Sequence, residues 1–230
     1  MSAHQFVLVP GAGLPGWIWD DVAERLEAAG HRADIVDFGD DKSAWRLADY
    51  AQRIMETAPA KGKVTLVGHS GGGVPTMAAA SLLGDRLAGI VIVAGMVPKP
   101  GGSFVSCLGF PTSLFMRAIL RILGTDPPEG LLRKGVCSDL DQERTDRIVA
   151  DLRPESRRYF TDGSPPGAPS PGAARRYIHL TEDKGLPPTS QRKQAARLGG
   201  DVVELPGGHM PMLTRPEELV DALISFPTPR

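Results

Sequence analysis

The 230-residue chain has little cysteine and almost no net charge, and it contains no long apolar run. Its two cysteines, Cys107 and Cys137, lie far apart without metal-ligand spacing, so neither a disulfide framework nor a zinc site is expected, and both are read as reduced thiols. A formal net charge of −1 offers no basic field for nucleic acid and no acidic tail. The apolar stretch before Pro10 is too short for a secretory h-region, and no later run approaches a membrane span. A cytoplasmic protein with a small-molecule partner is expected, with no nucleic acid and no membrane.

What the chain does contain is alternation. Short runs rich in β-branched residues, at Phe6–Val9, Ala33–Val36, Val64–Val67, Ile90–Val93, Tyr177–Leu180 and Val202–Leu205, are separated by segments of helical length such as Ala44–Thr57, Val74–Leu83 and Pro188–Leu198. This pattern predicts an α/β fold, a mostly parallel sheet of about six strands flanked by helices, with ligands at the carboxyl ends of the strands. The alternation fails between about Pro98 and Ala174, where two helix candidates (Thr112–Leu123 and Leu140–Leu152) precede a Pro/Gly-rich stretch over Gly163–Gly172. We read residues 1–99 and 175–230 as the core and 100–174 as an inserted helical lid. Apolar residues such as Leu114, Phe115 and Ile119 are expected to be buried in it.

The first strand runs into Gly11-Ala12-Gly13-Leu14-Pro15-Gly16, a G-x-G-x-x-G with an acidic residue, Asp37, about 20 residues on, as a dinucleotide site would have. A second motif competes with that reading. Gly68-His69-Ser70-Gly71-Gly72 is G-x-S-x-G between a strand and a helix, a turn that exposes a serine hydroxyl and needs glycines where side chains would clash. Serine needs a base. Pro206-Gly207-Gly208-His209 supplies a histidine just after the last strand, on the same sheet edge as Ser70, whereas His4, His31, His69 and His179 read as structural. In the order serine, acid, histidine, the orienting carboxylate should end the preceding strand, where Glu182 and Asp183 are equally placed by spacing. Asp201 precedes its strand and lies at the wrong end of the sheet.

Four stretches, Val7–Trp19, Val67–Gly73, Tyr177–Arg192 and Pro206–Leu219, keep the order and wording of the α/β-hydrolase superfamily. The chain resembles in particular its small group of plant methyl-ester esterases, hydroxynitrile lyases and bacterial esterase-like proteins. The resemblance implies a Ser70–His209–Asp183 triad, with the acid on Asp183 rather than Glu182, and an oxyanion hole from the backbone N–H groups of Ala12 and Gly71. It also gives the first glycine-rich loop a role without a nucleotide and makes Asp37 a loop residue. No metal or organic cofactor is implied.

Two departures from the resemblance bear on function. Pro10 stands where relatives commonly carry histidine. The lyases typically carry threonine and lysine where this chain has Gly11 and Met210, which favours ester hydrolysis over cyanohydrin cleavage. A non-hydrolytic cyclase or lyase of secondary metabolism and a silent ligand-binding protein are the alternatives. Epoxide and haloalkane hydrolysis would need a carboxylate in place of Ser70. Residue usage rich in Arg, Ala, Gly and Pro suggests a GC-rich bacterial genome. Gly11, Trp17, Met96, Phe104, Leu108, Phe110, Phe115 and Met210 are the expected pocket residues, giving an apolar site for a neutral group. The apolar lid could also face a homodimer partner.

Overall fold

A computed structural model describes residues 4–122, 124–165 and 172–227. Six strands form one sheet: β1 (Gln5–Val9), β2 (Arg32–Ile35), β3 (Val64–His69), β4 (Leu87–Val93), β5 (Ala174–Leu180) and β6 (Asp201–Leu205). Their order is β2-β1-β3-β4-β5-β6, and every neighbouring pair is parallel. The order reverses at β1, so the chain crosses from one side of β1 to the other and leaves a crevice at the carboxyl ends of β1 and β3.

Eleven α-helices are described in the chain: α1 (Asp20–Ala28), α2 (Leu47–Thr57), α3 (Gly73–Leu83), α4 (Phe104–Cys107), α5 (Thr112–Ile122), α6 (Glu129–Lys134), α7 (Gln142–Asp151), α8 (Arg157–Thr161), α9 (Pro188–Leu198), α10 (Pro211–Thr214) and α11 (Pro216–Ile224). Strand side chains alternate between the two faces of the sheet. Val7, Val9, Leu66, Ile90 and Ile92 pack with α2, α3 and α9, while Phe6, Leu8, Val67, Val91 and Val93 pack with α1 and α11. Both faces are therefore covered, and the central strands β3 and β4 are buried along their whole length.

Two strands, β4 and β5, begin three residues earlier than their sequence runs suggest, each for a physical reason. In β4, Gly89 leaves room for the Phe226 ring, which a Cβ there would strike. In β5, Arg176 is buried at 6% exposure because Asp201 on β6 takes two of its N–H groups at 2.7 and 2.8 Å and the Ala222 carbonyl takes another. Asp201 thus has an ion-pair role at the amino end of the sheet, away from the chemistry.

Between β4 and β5 the described residues make a helical excursion, α4 to α8. The expected burial of its apolar residues is corrected here: of the α5 side chains only Leu120 is buried, whereas Leu114, Phe115, Ile119 and Ile122 are exposed. Leu114 and Phe115 share an open depression with Arg117 and Arg121, while Met116, Ile119 and Leu120 line a cavity under the excursion. Leu123 and the core of the Pro/Gly-rich stretch, residues 166–171, lie outside the described residues. No helix among the described residues is long and apolar enough to cross a membrane.

Candidate active site

At the end of β3 the chain turns sharply into α3, and Ser70 at the corner has φ 51°, the left-handed region that an L-residue occupies only when its surroundings hold it there. The Met96 N–H bonds the Ser70 carbonyl at 2.9 Å and locks the turn. A Cβ on Gly68 would come within 2.5 Å of Thr76 Oγ1, and one on Gly72 or Gly73 would collide with the carbonyl oxygens of Pro10 or Met96. The flanking glycines are therefore a packing requirement, and the turn leaves the serine side chain partly exposed.

The loop after β6 carries His209, which is 2% exposed. Its Nδ1 lies 2.7 Å from Asp183 Oδ2 and its Nε2 lies 2.8 Å from Ser70 Oγ. A carboxylate offers only acceptors, so Nδ1 carries the proton and Nε2 is left to accept from the serine hydroxyl. Asp183 is held in turn by the Gly185 and Leu186 N–H groups on Oδ1, at 2.7 and 2.9 Å, and by Gln191 Nε2 on Oδ2 at 2.9 Å. Glu182 is exposed and its N–H bonds the Gly207 carbonyl, so of the two carboxylates Asp183 alone meets His209.

His69, beside the serine, donates from Nε2 to the His209 carbonyl at 2.8 Å and so ties the serine turn to the histidine loop. Complete burial, and secondarily the nearby His209 ring, push its pKa well below the ordinary 6.5, so it serves as a neutral donor. The Gly208 N–H bonds Asp139 Oδ2 at 2.9 Å, a second anchor for that loop.

Ala12 and Gly71 face one another. A Cβ on Gly71 would sit 2.8 Å from Ala12 Cβ and 3.2 Å from Ala12 N. Gly13 is gripped on both sides by the end of the excursion: its N–H bonds Glu155 Oε1 at 2.8 Å, and its carbonyl accepts from the Arg153 N–H at 3.0 Å. Glu155 also pairs with Lys42 Nζ at 3.2 Å, both side chains being under 5% exposed. Asp37, the residue a nucleotide site would need, instead bonds the Gly39 N–H at 2.8 Å and closes a turn.

A cavity of about 300 Å³ opens from Ala12 and Gly13 and is lined mainly by apolar groups, among them Phe104, Met116, Leu120, Leu152 and Phe160. Of the expected pocket residues, Phe104 lines it. Gly11 is buried against His69 and Ser70, within the turn itself. Phe110 is 87% exposed, and Phe115 faces the separate open depression on α5, while its helix turns Met116, Ile119 and Leu120 to the cavity. Trp17 lies on the outer side of the loop, under the Arg147 guanidinium at 3.8 Å and bonded to Asp151. Met210 is fully buried in the core beneath β6, and Met96 and Leu108 belong to the opposite core. Lys42, Asp139, Glu155 and Tyr159 carry no periodic or motif signal in the sequence, and Gln191 lies within the matching stretch Tyr177–Arg192.

A fully parallel sheet, a serine at a strained strand-to-helix turn and a late histidine define a hydrolase-type α/β protein. The sequence matches the model of the Alpha/beta hydrolase family over residues 6–222, and the chain belongs to that family. It is 29% identical to salicylic acid-binding protein 2 of Nicotiana tabacum, over 98% of this chain and 97% of that one. It is also 29% identical to polyneuridine aldehyde esterase of Rauvolfia serpentina, over 96% and 94% of the two chains. With the pyrethroid hydrolase of Sphingobium wenxiniae it shares 27% identity over 98% and 88%. Its distant homologues thus include esterases. In fold it is similar to the solved polyneuridine aldehyde esterase, with a TM-score of 0.78 at 22% identity over 97% and 98% of the chains. The likeness to an extracellular α/β-hydrolase from a Paenibacillus species has a TM-score of 0.82 at 19% identity over the same shares.

Proposed function

We propose that the protein is a serine hydrolase that cleaves a carboxylic ester, or a related acyl bond, of a small and largely apolar substrate through an acyl-enzyme on Ser70. The observation that carries this reading is the unbroken hydrogen-bond chain Asp183–His209–Ser70, ending beside the facing Ala12 and Gly71. His209 Nε2 takes the serine proton as Oγ attacks the acyl carbon, and the carbonyl π pair moves onto oxygen. The N–H groups of Ala12 and Gly71 receive that oxyanion, each donor being worth about 3–4 kcal/mol in a comparable hole. The imidazolium, steadied by Asp183, gives its proton to the departing alkoxide. Water, deprotonated by the same histidine, then attacks the acyl-serine and releases the acid.

The apolar cavity beside Ala12 supports a neutral acyl or alcohol group of modest size, and the α4–α8 excursion that forms much of its wall acts as the lid. Cyanohydrin cleavage is the weaker reading, since the position after the catalytic histidine is Met210, an uncharged side chain sealed in the core. Intact mass after exposure to a fluorophosphonate tests the hydrolase reading. One adduct on wild type that vanishes in Ser70→Ala and in His209→Ala supports it, and a folded wild type that stays unlabelled overturns it.

A further inference from the structure

Tyr159 belongs to the helical excursion, yet its side chain is only 1% exposed. Its ring stands edge-on to Tyr50 at 4.9 Å and to Phe160 at 5.1 Å, and its N–H is capped by Ser156 Oγ at 3.0 Å. Side chain and backbone are therefore both fixed. At the end of this rigid ring, the hydroxyl is buried and has no hydrogen-bond partner among the described residues. A buried phenol that is paid no hydrogen bond by its own protein calls for an external one.

The position of the hydroxyl supplies the reason. The open side of Gly71, where a Cβ would sit, lies 3.2 Å from the Tyr159 hydroxyl and 3.2 Å from Ala12 N. The phenol oxygen, Ala12 N and Gly71 thus stand together beside Ser70, packed so closely that a side chain at residue 71 would strike Ala12. We infer that the Tyr159 hydroxyl is a third donor to the oxyanion hole, a catalytic residue that completes the pair of backbone N–H groups. This inference rests on the hydrolase reading.

Three features suit the role. Burial, then the nearby Glu155 carboxylate and Tyr50, hold the Tyr159 pKa well above the ordinary 10, so the group keeps its proton and donates. Lys42 pairs with Glu155 and offsets the negative charge nearest the hole. A donor fixed before the substrate arrives needs no reorganisation when charge develops.

The test is Tyr159→Phe, which removes one oxygen that bonds nothing in the protein and leaves the ring packing intact. Wild type and variant are compared in hydrolysis of p-nitrophenyl butyrate, whose acyl chain carries no further polar atom, in inhibition by an alkyl trifluoromethyl ketone, and in thermal unfolding. A transition-state donor predicts that kcat and kcat/KM fall together by about 10- to 100-fold with KM little changed. The ketone, whose serine adduct places an oxyanion in the hole, should bind more weakly by a similar factor, with the unfolding midpoint unchanged or raised. Unchanged kcat overturns the inference, and so does a loss confined to KM, which would make the phenol a handle for the ground state. Activity abolished by Ser70→Ala but retained in Tyr159→Phe overturns the third donor alone. A wild type that neither labels nor turns over overturns the hydrolase reading with it.

Discussion

Removing Glu155 should unfold the protein far more readily than its place at the end of a helical insertion would suggest. Its carboxylate is buried with the Lys42 ammonium, both under 5% exposed, and the same oxygen accepts from the Gly13 N–H. Glu155→Leu leaves that ammonium without a counter-ion, and breaking one side of a buried pair costs about 3–5 kcal/mol. The orphaned Gly13 N–H adds about 1–3 kcal/mol if nothing replaces its acceptor. Because both bonds end on Oε1 they are not independent, and we expect a combined loss of about 4 kcal/mol, a large share of the 5–15 kcal/mol that holds a typical domain together. In a chain of this length that corresponds to a midpoint lower by roughly 10 °C. The assay is equilibrium urea unfolding at 25 °C, in wild type, Glu155→Leu, Lys42→Met and the double variant. Since a buried pair replaced whole by apolar groups is often close to neutral, the double variant should recover most of what either single loses. A double variant as unstable as the two single losses added together would refute the reasoning, and so would a Glu155→Leu midpoint equal to that of wild type.

Three further outcomes follow from local features. Gly72→Ala should lower the unfolding free energy by about 1–3 kcal/mol in urea titration and depress fluorophosphonate labelling, because its Cβ meets the Pro10 carbonyl rather than a movable side chain. His69 is buried in its neutral form with a pKa below its unfolded value, so the unfolded chain binds the extra proton, and stability is full above about pH 6.5 and falls as pH drops below it. Between pH 6 and 5 this contributes up to about 1.4 kcal/mol per pH unit, and the acid slope of the urea midpoint should be shallower by about one proton in His69→Gln. Burial pushes the Cys107 thiol up to about 12 and the Cys137 thiol up to about 11, so neither should react with a disulfide reagent at pH 8 until the chain is unfolded in urea.

The sheet was legible because each strand lies in or beside a short apolar run, most of them rich in β-branched residues, and the helices α3 and α9 because their ends are marked by glycine or proline. The first turns of β4 and β5 were not, since Gly89 and Arg176 look unlike strand interior until Phe226 and Asp201 are brought to them by tertiary structure. Ser70 and His209 could be read from glycine spacing, which reflects backbone sterics local to each turn. The choice between Glu182 and Asp183 could not, since adjacent residues on a loop differ only in which way each points, and the family resemblance was needed to favour Asp183. The pocket residues fared worst. Apolar residues such as Leu114, Phe115 and Ile119 specify an amphipathic helix without specifying which way each turns, and here Leu114 and Phe115 turn outward while Ile119 lines the cavity. Glu155 acts through Gly13 and Lys42, and Tyr159 is held by Tyr50, partners more than a hundred residues away in sequence, a distance at which no periodicity speaks.

Both polar groups of Gly13, its N–H and its carbonyl, are spent on residues 153–155, within the excursion. The insertion is consequently not an exchangeable module. Transplanting residues 100–174 from a relative to alter substrate choice would also replace the partners of the first glycine-rich loop, so a chimera with a well-formed new cavity should still turn over slowly. Carrying Lys42, Arg153 and Glu155 as one unit with Gly13, and ending the graft before Arg153, is the exchange that keeps the loop in register.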